Sequence, residues 1–264
     1  CIRDSFQAAG GMAFLVRELR SGGLLNEDVT TLLGPGLDCH TRVPEADGAD
    51  GVHWQRPATA SADTSVLRGV SEPFANEGGL RLLSGNLGEG VIKVSAVADD
   101  RRVIKAPCRV FVTQDALKAA FEAGELDRDV IAVVRFQGPA ANGMPELHKM
   151  TPYLGVLQDR GHRVGLVTDG RMSGASGKVP AAIHLTPEAT RGGPIARLCD
   201  GDIVELDSDS GTINVLVDEQ EWQSRSPAPR PPAEDTLGRN LFVGLRGRVS
   251  DATRGASVFE PDLD

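Results

Sequence analysis

The sequence predicts a mixed α/β protein with a strand-rich body, and three observations carry that expectation. Short β-branched and apolar runs crowd residues 91 to 217, helical patterns are few, and strands and helices do not alternate as they would in a dinucleotide-binding fold. The 264 residues suit one large domain or two modest ones. With 40% apolar and 25% charged residues the chain has the composition of a folded globule rather than a disordered segment. A net charge of −9, from 28 basic and 37 acidic residues, argues against a nucleic-acid partner, whose phosphates need a basic face. No apolar run approaches the roughly 20 residues that cross a bilayer, so no membrane partner is expected.

In chain order, Met12, Leu15, Val16 and Leu19 fall at helical spacing within Gly11 to Arg20, and Gly22-Gly23 stops that helix. Asn26 is positioned to cap a second, short helix, with Glu27 and Asp28 at its positive end and Gly34-Pro35 closing it. From there to about Phe74 periodicity is lost, and an extended surface insertion is expected. The texture changes near Ser84-Gly85-Asn86-Leu87-Gly88, which divides the chain into residues 1–83, 84–225 and 226–264. Strands are expected at Val91 to Val97, Val103 to Lys105, Val110 to Val112 and Val130 to Phe136. Thr113 caps a helix from Gln114 to Ala123, and Thr151-Pro152 starts another that ends before Gly161. Arg163 to Thr168 reads as a buried strand. Ala181 to Leu185, Asp202 to Leu206 and Thr212 to Val217 complete the body, and a Pro-rich linker, Ser226 to Pro232, leads to a helix-like stretch from Leu237 to Val249.

The four cysteines, Cys1, Cys39, Cys108 and Cys199, lie far apart with no C-x-x-C pair, which excludes a zinc knuckle or thioredoxin-type motif. A reduced, cytoplasmic chain is the expectation, since the opening Cys1-Ile2-Arg3-Asp4-Ser5-Phe6 has no secretion signal. That opening reads as the interior of something longer.

Two clusters carry chemistry. The loop Thr168-Asp169-Gly170-Arg171-Met172-Ser173-Gly174-Ala175-Ser176-Gly177-Lys178 places a carboxylate, a guanidinium, hydroxyls and an ammonium among glycines, directly after an apolar strand. Backbone turned so sharply exposes its N–H groups and can cradle an anion. A polar turn in which Asp169 and Ser173 satisfy local donors is the other reading. The phosphate-binding G-x-x-x-x-G-K-[ST] pattern fails because Val179 follows Lys178, and G-x-S-x-G fails too. The second cluster runs from Arg135 to Lys149, where Pro145 stiffens the approach of Glu146 and His148. A carboxylate on a rigid loop suits a hard cation such as Mg²⁺, while a helix start at Glu146 remains open.

Taken together, the strings resemble the signature of the dihydroxy-acid and 6-phosphogluconate dehydratase family. They are Val167 to Pro180, His184-Leu185-Thr186-Pro187-Glu188-Ala189, Gly143-Met144-Pro145-Glu146 and Ser84 to Gly88. The lysine at 178, the Glu146-Leu147-His148-Lys149 ending, the opening Asp4 to Gly11 and the long insertion are most similar to its members acting on 6-phosphogluconate. The resemblance covers Asp4 to about Glu221.

It implies a β-rich swivelling domain, of a β/β/α barrel-like kind, preceded by the tail of an α/β cluster-binding domain. It implies loss of water from a 2,3-dihydroxy acid, with a [4Fe-4S] cluster as Lewis acid and Mg²⁺ beside it in a homodimeric full-length enzyme. Ser173 matches the base that removes the C2 proton, and Glu146 matches a Mg²⁺ ligand. A bare serine is a poor base, so positive charge must stabilise its alkoxide; a metal, the N–H groups of Gly174 and Ala175 and the side chain of Arg171 are the available sources. Ser176 and Lys178 complete the substrate-binding set, with Lys178 facing the 6-phosphate and Arg239 a weaker candidate for it. The family's cluster-ligating cysteines belong to a domain this sequence does not contain, so the chain alone is expected to hold no cluster and to be inactive. Two alternatives stand beside this one: a family member acting on an unphosphorylated sugar acid or dihydroxy acid, and a non-catalytic anion-binding module.

Overall fold

The computed structural model describes residues 2–48, 51–56, 59–172, 177–232 and 235–259. The chain forms two compact units, residues 1–77 and 78–264. The boundary expected at 83/84 therefore moves upstream. The reason is that β-pairing begins before the glycine-rich string, with Leu80 already in register with Lys93.

In the first unit, α1 (Ile2–Ala9) and α2 (Gly11–Ser21) pack Ala9 and Phe14 against Leu67. Gly22 and Gly23 end α2 as expected. The short helix expected after Asn26 does not form. The Asn26 carboxamide oxygen instead accepts the Asp28 N–H at 3.1 Å, a local turn that competes with helix entry. The chain continues as a minimal hairpin, β1 (Thr30–Thr31) and β2 (Gly34–Pro35). The region expected to be an irregular insertion also contains an antiparallel pair, β3 (Val43–Ala46) and β4 (Val52–Gln55).

The second unit is built on a closed eight-stranded barrel. A hairpin of β5 (Leu80–Gly85) and β6 (Gly88–Lys93) is followed by β7 (Val103–Phe111), α3 (Gln114–Glu122) and β8 (Val130–Val134). Next come α4 (Pro139–Asn142), α5 (Thr151–Asp159), β9 (Val164–Thr168) and β10 (Ala181–Thr186). β11 (Ile203–Asp207), β12 (Thr212–Val215), α6 (Glu219–Ser224), α7 (Leu237–Leu241) and α8 (Val243–Arg248) complete it. Around the barrel the order is β10-β6-β5-β12-β11-β7-β8-β9, closing between β9 and β10. Closure leaves no exposed strand edge.

Three differences from expectation have local causes. The two short runs at 103–105 and 110–112 are one strand, because Pro107 pairs with Ile203 where β11 begins and interrupts the ladder little. Thr113 caps α3 as expected, its hydroxyl accepting the Ala116 N–H at 3.1 Å, whereas Thr151 is already inside α5 and caps nothing. The single helix-like stretch near the C-terminus is two short helices broken at Phe242.

Neighbouring strands β7, β8 and β9 run parallel, with α3 and α5 carrying the crossovers. This explains the uninterrupted apolar run of β8. Val130, Ala132 and Val134 face Leu117, Leu154 and Leu157, while Ile131 and Val133 face Ile104, Val204 and Ile213 in the second cluster. A parallel strand covered on both faces needs apolar residues at every position. Burying each of those leucines contributes about 1.5–3 kcal/mol.

Candidate functional site

The site grows from the C-terminal ends of β8 and β9. Directly after β9, Asp169 is fully buried, and its carboxylate accepts three backbone N–H bonds from distant segments: Phe136 at 3.1 Å, Gln137 at 2.9 Å and Ala189 at 2.9 Å. Burial pushes its carboxyl up to about 6, against the pull of those N–H groups, and the nearby Glu188 carboxylate adds to the rise. One side chain thus ties the loop after β9 to the loop after β8 and to the turn after β10. Glu188, also buried, accepts from Ala140 at 2.8 Å and Ala141 at 3.0 Å, holding the start of α4.

Backbone strain gathers here. Among the described residues four non-glycines have left-handed φ, and three of them, Phe136 (64°), Met144 (53°) and His184 (59°), belong to this region. Such conformations cost on the order of 1–3 kcal/mol each and persist only where the surroundings over-determine them. Gly170 sits against Gln137 so closely that a Cβ there would lie 2.7 Å from the Gln137 Cβ and 2.9 Å from the Leu147 Cδ1, so no side chain fits. The Gly170 N–H is held by the Thr168 hydroxyl at 2.9 Å, and its carbonyl accepts the His184 N–H at 2.8 Å.

The two sequence clusters meet at Arg171 and Glu146. Their backbones form an isolated parallel bridge, with the Leu147 N–H donating to the Arg171 carbonyl at 3.2 Å. The Arg171 guanidinium donates through Nε to the Met144 carbonyl at 2.8 Å and through Nη1 to Glu146 Oε2 at 3.0 Å. Glu146 therefore starts no helix. His184 adds a ring the sequence reading left unused, its pKa lowered by burial and then by the Arg171 charge.

Ser173, Gly174, Ala175 and Ser176 lie outside the described residues. Lys178 stands apart from the Glu146–Arg171 pair. Its ammonium pairs with Asp159 at the end of α5, and its carbonyl accepts the Gln158 side chain at 3.2 Å. Asp169 was expected, if structural, to bind local donors; its partners are in fact 20 to 33 residues away, which no local pattern signals.

Within the barrel unit Cys108 is buried, its thiol raised to about 12 by burial, and Cys199 is exposed. For Mg²⁺ the carboxylate of Glu146 is the right kind of donor, but among the described residues no three His, Cys, Asp or Glu side chains gather to hold a metal.

The family described as dihydroxy-acid/6-phosphogluconate dehydratase C-terminal matches residues 65–256, most of the chain. The chain belongs to this family. A phosphogluconate dehydratase of Pseudomonas aeruginosa is 58% identical over 262 residues, 99% of the chain and 43% of that protein. One from Zymomonas mobilis is 52% identical over 253 residues, 96% of the chain and 42% of the relative. A dihydroxy-acid dehydratase of Halothermothrix orenii is 32% identical over 260 residues, 97% of the chain and 43% of the relative. The chain thus spans less than half the length of these relatives. The matched region contains the whole barrel and every element of the site, including Asp169, Arg171 and Glu146. No helix among the described residues is long and apolar enough to cross a membrane.

Proposed function

We propose that this chain is the C-terminal part of a hydro-lyase that converts 6-phospho-D-gluconate to 2-dehydro-3-deoxy-6-phosphogluconate and water, a step of the Entner-Doudoroff pathway. The observation that carries the reading is the gradient of identity, 58% to a phosphogluconate dehydratase against 32% to a dihydroxy-acid dehydratase, over nearly the same residues. In this reading the barrel is the swivelling domain, residues 1–77 close the α/β cluster-binding domain, and the full-length enzyme is a cytoplasmic homodimer.

Ser173, as its alkoxide, takes the proton from C2 of the substrate, the C2–C3 double bond forms as the C–O bond at C3 breaks, and the proton gained by Ser173 passes to the departing hydroxide to give water; the resulting enol tautomerises to the 2-keto acid. The loop that carries Ser173 starts from a rigid anchor, because Asp169 fixes its first residue and Gly170 allows the close packing beneath it. Positioning of this kind lowers the barrier by holding the base where the proton is. Gly174, Ala175 and Ser176 supply loop N–H groups and a hydroxyl toward the substrate. Arg171, engaged with Glu146 and Met144, keeps the Glu146 carboxylate in place as a cation ligand. Glu146 would give Mg²⁺ one carboxylate ligand, and a [4Fe-4S] cluster and the remaining Mg²⁺ ligands would come from the rest of the enzyme; these groups would supply Lewis acidity to the departing hydroxyl and to the substrate carboxylate.

The test is turnover by the purified, cluster-loaded full-length protein on 6-phosphogluconate, gluconate and a branched 2,3-dihydroxy acid. Preference for 6-phosphogluconate in kcat/KM supports the proposal. Preference for either unphosphorylated acid would replace it with the alternative dehydratase reading, and no dehydration of any of them would favour the anion-binding module.

A further inference from the structure

Beside the Asp169 anchor the barrel unit contains a cavity of about 310 Å³, bounded by the start of α3, the end of β8, α4 and the segment leading to α7. That volume falls in the range of small-molecule sites. Its charged lining is three cations, Lys149, Arg230 and Arg239, against one carboxylate, Asp115. In a chain with a net charge of −9 such a local excess of positive charge is not a property of the composition.

The wall is organised rather than incidental. The Gln137 side chain donates to the Val112 carbonyl at 2.7 Å and accepts from Asn142 Nδ2 at 2.9 Å, and Asn142 Oδ1 in turn accepts from Arg239. Gln137 is the same residue whose backbone N–H is held by Asp169. Arg230 donates to the Ala141 carbonyl at 2.8 Å. Among the described residues each guanidinium commits one N–H to the wall, and a guanidinium has five in all. Lys149 is exposed and has no carboxylate partner among the described residues. Pro145, which also lines the cavity, directly precedes Glu146, so the cationic wall adjoins the Glu146–Arg171 pair.

We infer that this cavity is the anion subsite of the enzyme, with Arg239, Arg230 and Lys149 holding the phosphate monoester end of the substrate. The identity of that substrate rests on the function proposed above; the anion site itself rests on the cavity. Guanidinium forks and an ammonium suit a phosphate dianion, which offers several acceptor oxygens to charge-assisted bonds. Lys178, the candidate raised by the sequence, pairs with Asp159 at the end of α5 rather than lining this cavity.

The experiment uses the cluster-loaded full-length enzyme and the variants Arg239→Met, Arg230→Met, Lys149→Met and Lys178→Met. Two quantities are read: kcat/KM on 6-phosphogluconate and on gluconate, and the dissociation constant of inorganic phosphate by calorimetry. Each of the first three variants is expected to lose about ten- to hundred-fold on 6-phosphogluconate and in phosphate affinity, the loss of one charge-assisted bond, with a much smaller change on gluconate. Lys149, exposed and outside the hydrogen-bonded relay, provides a variant that leaves the wall intact. Equal losses on both substrates with unchanged phosphate affinity would overturn the inference, as would loss of phosphate affinity in Lys178→Met alone. If the wild type binds phosphate through these residues yet dehydrates no phosphorylated acid, the proposed reaction fails and the anion site stands. Competition by inorganic phosphate against 6-phosphogluconate but not gluconate would assign the site to the substrate's phosphate; competition against neither would make it a site for free phosphate and overturn the substrate assignment.

Discussion

Residues 1–77 enclose one small cluster, Ala9, Phe14 and Leu67, with Phe6, Leu15 and Val66 partly covered around it. Leu24, Leu32, Leu33 and Trp54 of the same unit are exposed, and among its described residues the strands form two separate two-stranded hairpins. Residues 78–264 instead enclose two large clusters, one on each face of β8, and a barrel without edges. The difference bears on where chemistry can be held. A loop is positioned to a fraction of an ångström only when its anchors are over-determined, as Asp169 is by three N–H bonds and closed packing at Gly170.

The comparison is broken most directly at the base. In the full-length enzyme Ser173→Ala should lower kcat by about 10²–10⁴-fold with cluster absorbance unchanged, the usual contribution of a positioned general base. Trp54→Ala, on the hairpin of the first unit, should leave kcat within about twofold. A larger effect at Trp54 than at Ser173 would put the functional weight in the wrong unit.

Packing sharpens the contrast at the next scale. Leu154→Ala removes a fully buried side chain of α5 from the cluster it shares with β8 and β9 and should cost about 2–5 kcal/mol in urea unfolding. Leu33→Ala removes one that is half exposed and should change stability by less than about 0.5 kcal/mol. Comparable losses at both would mean that the two units do not differ in packing as described.

A further contrast concerns pH. The folded Asp169 carboxyl holds its proton more tightly than the unfolded one, its pKa raised from 3.8 to about 6. Its contribution to stability is therefore fully present below about pH 3.8 and is lost as pH rises through about 6, after which this group adds no further slope. Urea midpoints measured at intervals from pH 4 to 7 should carry this falling component in the wild type and lack it in Asp169→Asn. The same variant should be less stable at pH 7, by about 1–3 kcal/mol for each donor left unpaired, because its amide would turn N–H groups toward the N–H groups of Phe136 and Ala189. An identical pH profile in the two proteins would remove Asp169 as the titrating group.

Much of this molecule was legible along the chain because its signals are short-ranged. Thr113 and its following helix, the helix at residues 11 to 21 and the strands at 130 and 164 follow from capping and periodicity within a few residues. The grouping of Glu146 with the loop after β9 was legible as a family pattern, and the bridge to Arg171 gives it a physical form. The helix expected at Asn26 failed because a side chain that can cap a helix can equally close a turn on the second N–H beyond it. The first strand of the barrel was missed because residues 80 to 85 carry little apolar alternation; Leu80 and Leu82 are exposed, and only Leu83 is buried.

By itself, then, the sequence determined the capped and periodic helices and the apolar strands of the barrel, which loops carry the polar groups, and the family in which those loops occur in that order. Barrel closure decided the rest. It selected Phe136, Gln137 and Ala189 as the partners of Asp169, paired Lys178 with Asp159, and joined Arg239 to Asn142 across 97 residues of chain. Capping and periodicity act through the covalent neighbourhood and can be read locally. A buried charge or a guanidinium takes whichever partner packing brings within 3 Å, and that is a property of the closed barrel rather than of any stretch of sequence.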